Sequence, residues 1–128
     1  MAYTINRMIT GAGIDDVDAR TRAALAANGF GVLTEIDVKA TMKKKLDAEM
    51  PGYRILGACN PKMAFQAIWV EPRVGAMLPC NVILREVAGG TEISAIDPVA
   101  SMQAIANPGL LALAGQVRGM LAEAVAGI

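Results

Sequence analysis

The stretch CNVILREVAGGTEISAIDP, Cys80–Pro98, carries the reading of the fold. Two runs rich in β-branched and apolar residues, Cys80–Val87 and Thr91–Ile96, flank Gly89-Gly90, which is the pattern of a β-hairpin. A two-residue turn on those glycines would set Asp97 opposite Val82. Asp97-Pro98 then begins a helical segment, with the aspartate as cap and the proline at the first helical position. The same device recurs at Asn60-Pro61 and at Asn107-Pro108.

Working outward, Tyr53–Cys59 reads as a third strand, and the helix after Asn60 carries Met63, Ala64, Ala67 and Ile68 at a period near 3.6. Pro72 and Pro79 bracket a short irregular or helical return. Upstream, Tyr3–Ile9 alternates as a first strand. Ile14, Val17, Thr21, Leu25 and Asn28 follow helical spacing up to the stop residue Gly29. Gly31–Val38 is the second strand, with Val32, Thr34 and Ile36 on one face and Leu33, Glu35 and Asp37 on the other. Asp37 caps a helix expected to reach about Met50, with Met42, Leu46 and Met50 as its apolar row and Lys43–Lys45 towards solvent. The last helix, Pro108–Ala126, lines up Leu110, Leu111, Ala114, Val117, Leu121, Ala124 and Val125. Five strands and about four helices predict one α+β domain over residues 1–128, a layer sandwich with helices mainly on one face of the sheet. The opening strand–helix–strand unit should be parallel if its strands share a sheet. Leu33, Ile83 and Ile96 give the other face more apolar residues than solvent requires, so a homodimer covering it is expected.

Composition narrows the chemistry. The 128 residues are 54% apolar, enough for a real core and unlike a disordered chain. Twelve basic and twelve acidic residues cancel, so no global field draws nucleic acid or an anionic membrane. Histidine is absent, which removes histidine triads, histidine bases and histidine metal sites together. Two cysteines are too few for a disulfide scaffold. MAYTINRMIT lacks the basic start and apolar run of a secretory signal, and Gln116, Arg118 and Glu123 interrupt the apolar C-terminal stretch short of a bilayer span. A cytoplasmic protein with reduced thiols, without cofactor or membrane, is the expectation.

The segments YRILGACNP (Tyr53–Pro61), LPCNV (Leu78–Val82), SAIDP (Ser94–Pro98) and GFGVLTEIDV (Gly29–Val38) resemble the bacterial and archaeal domain-of-unknown-function 302 family. The resemblance covers almost the whole chain. It implies a β-α-β(4)-α fold like one half of the TATA-binding protein, with a largely antiparallel five-stranded sheet and inserted helices. That likeness is one of fold and does not import DNA binding. It brings no catalytic residues and leaves open whether the protein is an enzyme.

If the third to fifth strands form the antiparallel meander that the resemblance implies, Cys59 and Cys80 lie at one end of the sheet. Asn60, Lys62, Asn81 and Asp97 would join them in one candidate ligand site. Cys59 precedes a helix start with Lys62 in its first turn, a setting that favours thiolate. The first expectation is therefore a small unknown ligand bound at this end. One alternative is redox, sulfur or soft-metal handling by Cys59 and Cys80; another is a purely structural module in which both cysteines are core residues. The long gap between the cysteines matches no short metal motif, so no metal is assigned. Gly11-Ala12-Gly13 lacks a third glycine and is followed by Asp15 and Asp16, which would repel a phosphate.

Overall fold

The computed structural model describes residues 2–128. Its elements run β1 (Thr4–Thr10), α1 (Ile14–Ala27), β2 (Gly31–Asp37), α2 (Val38–Leu46), β3 (Tyr53–Cys59) and α3 (Pro61–Val70). A 3-10 helix over Pro72–Met77 follows, then β4 (Cys80–Val87), β5 (Gly90–Ile96), α4 (Pro98–Ser101) and α5 (Pro108–Ala126). The strands form one five-stranded sheet in the order β1-β5-β4-β3-β2, every neighbouring pair antiparallel. Four successive reversals give β1 and β2 the same direction, as expected, but they occupy opposite edges and do not pair.

The caps form as their residue types dictate. Asp37, Asn60, Asp97 and Asn107 each accept a backbone N–H from the first turn of the following helix. α2 stops at Leu46 rather than near Met50, because Asp47 takes a left-handed conformation (φ 51°) and the chain has no regular structure from there to Gly52. With no residue buried, α2 has no fully packed face to carry it further, although Lys43–Lys45 in its last turn suit the C-terminal end of the helix dipole.

The hairpin register differs from expectation by two residues. Ala95, not Asp97, lies opposite Val82, and the turn falls on Ala88-Gly89, with Gly89 at φ 87°. A two-residue slip preserves which face each side chain takes. Leu56 and Ala58, Val82 and Leu84, and Ile93 and Ala95 therefore all point towards the helices, where they meet Val17 and Leu25 of α1 and Leu121, Ala124 and Val125 of α5. In β2 the expected alternation breaks. Val32 pairs with Ala58 but Thr34 pairs with Gly57, so Leu33 is the extra residue of a β-bulge. Val32 and Glu35 consequently share the helix side, whereas Thr34 and Ile36 share the open side.

Two clamps hold the helices to the sheet. Arg54 of β3 reaches Asp18 of α1 at 3.0 Å, and Arg22 holds the same carboxylate at 2.6 Å. At the far edge, the Arg7 guanidinium donates to the Val125 and Ala126 carbonyls at 3.1 and 2.8 Å, placing a cation on the C-terminal end of α5. α5 has 19 residues, and by length and composition it could cross a bilayer, contrary to the expected shortfall. In this fold it instead buries Leu110, Ala114, Leu121, Ala124 and Val125, and its Arg118 is ion-paired.

Candidate functional site

A cleft of about 310 Å³ opens at the end of the sheet where β3 finishes and β4 begins. The ladder sets Cys80 opposite Ala58, so Cys59 and Cys80 do come to the same end of neighbouring strands. Both line the cleft, together with the adjacent Asn60. α3 forms one wall with Met63, Ala64, Ala67 and Ile68, and the N-terminal half of α5 forms another with Leu110, Leu113, Ala114 and Val117. Phe30 and Leu33 from around β2, Leu78 and Pro79 before β4, and Pro98 and Met102 complete the lining. Among the described residues, no charged one takes part.

The cleft lies at a seam. The main core continues on one side through Phe30, Ala58 and Cys80. On the other, Ala67, Val74, Met102, Leu110 and Ala114 form a second, smaller core. Two glycines permit the close approaches that shape it. Gly29, at φ 84°, lies where a Cβ would come within 2.9 Å of the Asn60 amide nitrogen. A Cβ on Gly57 would collide with Thr34 and sit 2.7 Å from Pro79.

Of the six residues expected here, three converge and three do not. Lys62 is exposed and does not line the cleft. Asn81 follows the inward-facing Cys80 and therefore points to the opposite face, where it joins Tyr53, Ile83 and Arg85 in a shallow groove. Asp97 is occupied as a cap. Its Oδ1 accepts from the Val99 and Ala100 N–H groups at 2.9 and 3.3 Å, and its Oδ2 accepts from Arg118 at 2.8 Å. Desolvation pulls the Asp97 carboxyl upward, but Arg118 and the two backbone donors outweigh it and hold it below its ordinary value.

Cys80 is not an activated thiol. Burial, the larger cause, and the nearby Cys59 push it up to about 11. The Met63 N–H donates to Asn60 Oδ1 at 3.1 Å, so the carbonyl side of that amide is already used. No group of three or more metal-ligating side chains occurs among the described residues.

Reasoning from sequence missed the apolar walls, which supply most of the lining. Their signal was the row Met63, Ala64, Ala67 and Ile68, read only as helical periodicity. It also missed the pairing of Trp69 with Phe65 at the surface. They are 82% and 72% exposed on the outer side of α3, beside a shallow groove shared with Val70 and Leu113.

With the geometry in view, comparison with known proteins is direct. The family model "Domain of unknown function DUF302" matches residues 6–128. The chain belongs to this family. Among solved structures, it is similar to the crystal structure of an uncharacterized conserved DUF302 protein from Bacillus stearothermophilus. That likeness has a TM-score of 0.92 at 24% identity over 98% of both chains. It establishes the DUF302 fold for this chain. No curated protein matches.

Proposed function

We propose that this DUF302 domain binds a small, largely apolar molecule in the cleft between α3, α5 and the β3–β4 end of the sheet. The observation carrying this reading is the cleft itself, an apolar opening at the seam of two cores. Its volume is at the lower end of typical ligand sites, roughly 300–1,000 Å³. It is also about twice the size of an engineered apolar cavity of roughly 150 Å³ that admits benzene. An unfilled apolar opening of this kind costs packing, and a ligand restores those contacts.

The test is titration of isotope-labelled protein with toluene. Amide shifts concentrated at Cys59, Met63 and Leu113, abolished by Ala64→Leu, support the reading. Shifts confined to Phe65 and Trp69, or none at saturating toluene, overturn it.

A second reading rests on the two thiols sharing one cleft: Cys59 and Cys80 together hold a soft ion such as Cu(I). One Cu(I) per chain, lost in Cys59→Ser and in Cys80→Ser at unchanged melting temperature, is the expected result. Absence of a stoichiometric ion removes it. Homodimerisation belongs to the same proposal, supported by the row Ile36, Ile55 and Ile83 across three paired strands of the open face. Light scattering at micromolar concentration should give twice the chain mass; the mass of one chain contradicts it.

A further inference from the structure

We infer that the ligand of this cleft is an uncharged apolar molecule carrying one carbonyl-type oxygen, which accepts a hydrogen bond from the Asn60 side-chain amide. The inference rests on the cleft being a ligand site and adds the chemistry of what it takes.

Three observations lead to it. The lining contains no charged residue, so a buried carboxylate, phosphate or ammonium would have no counter-ion and would lose its hydration without compensation. Arg118, on the helix that forms one wall, is committed to Asp97. The lining's one side-chain amide, Asn60, is already half-committed. Its Oδ1 accepts from Met63, while its Nδ2 donates to no acceptor among the described residues. That nitrogen is fixed in place, because the cap anchors the oxygen and the amide sits against the bare Cα of Gly29.

Asn60 is half-buried and its amide nitrogen is open to solvent, so an occupant that covers it strips that hydration from an unpaired donor. A hydrocarbon leaves it unpaired, and the cost of that lost hydration weakens binding. A carbonyl oxygen satisfies it and needs no counter-charge. Recognition of this type discriminates strongly, because the penalty falls on the ligand lacking the matching group. Ketones, esters and lactones with about ten non-hydrogen atoms suit the volume, judged against the benzene-sized cavity.

Fluorine NMR titration with three probes of one shape tests this. They are para-fluoropropiophenone, para-fluoropropylbenzene, and para-fluorophenylacetate as the charged member. The ketone should bind about tenfold more tightly than the hydrocarbon, and the carboxylate more weakly than the ketone. Asn60→Asp keeps an oxygen to accept the Met63 N–H, so α3 stays capped, but it replaces the amide donor. In that variant the preference of ketone over hydrocarbon should fall to about one or below, since a carboxylate oxygen repels the ketone oxygen, with the melting transition retained. Should Asn60→Asp fail to fold, Ala64→Leu, which fills the same space, must abolish ketone binding instead. Equal affinity for ketone and hydrocarbon in the native protein, or a carboxylate preference, overturns this inference and leaves the cleft standing as a site. Failure of all three probes to bind in the cleft overturns the site and the inference together.

Discussion

The two halves of α5 make an instructive pair. Its C-terminal half sets Leu121, Ala124 and Val125 into the main core over the β1–β5 side of the sheet, where Ile93 of β5 and Val17 of α1 share that core, and Arg7 closes the end. Its N-terminal half carries equally apolar residues, Leu110, Leu113, Ala114 and Val117, but faces a cleft. Composition along the helix hardly changes. What changes is the opposing surface: a continuous sheet face on one side, and on the other a strand end beside α3, which packs through Ala67 against Leu110 and Ala114 yet leaves the cleft open next to them. Amphipathic pattern specifies that a face will be covered; the neighbouring elements decide whether the cover is complete.

This contrast can be broken by mutation. The largest effect is expected from Leu121→Ala, which leaves a void in the closed half and should lower stability by about 3 kcal/mol. In the open half, Leu113→Ala removes a half-buried side chain that already borders space and should cost less than about 1 kcal/mol. Urea unfolding of both variants measures the difference; equal losses would erase the distinction between the halves. Next comes Asp18→Ala. It leaves Arg54 and Arg22 without their shared carboxylate beside the closed core, and a loss of about 2 kcal/mol is expected in the same assay.

An effect of similar size separates the regions by pH. The Cys80 thiol is raised in the folded protein, so the native state keeps a proton that the unfolded chain releases. Stability should therefore fall as pH rises from 9.0 towards about 11, by about 2 kcal/mol across that window. Cys80→Ala should flatten this part of the profile, and an unchanged slope would place the loss elsewhere. The smallest stability effect belongs to Leu33→Ser at the cleft rim. With Leu33 68% exposed, the melting temperature should scarcely move while toluene binding weakens. A large drop in melting temperature would mean that the rim belongs to the core after all.

Most of the fold was legible because its punctuation is chemical. Asx-Pro pairs at Asn60, Asp97 and Asn107 started the helices where they begin, and the strand patterns at Tyr53–Cys59 and Cys80–Val87 matched the structure end to end. The departures have local causes. A left-handed Asp47 ended α2 early, and the hairpin turned on Ala88-Gly89 because one glycine, not two, was needed at positive φ. The site was legible only in part. Cys59, Asn60 and Cys80 met because the strands carrying them are neighbours. Asn81 could have been set aside from alternation with Cys80 alone, and Lys62 from its place outside the apolar row of α3. The cleft's walls were not legible, since nothing in a helical apolar row says how far away its partner stands.

The bulge in β2 has one more consequence. Leu33 is supernumerary to the ladder: it pairs with nothing across from it, yet it borders the opening. Its side chain is therefore released from the constraints that bind every other strand residue nearby. Position 33 is the natural tuning point for an engineer or for descent with modification. A different group there reshapes the doorway while the walls and floor remain as built.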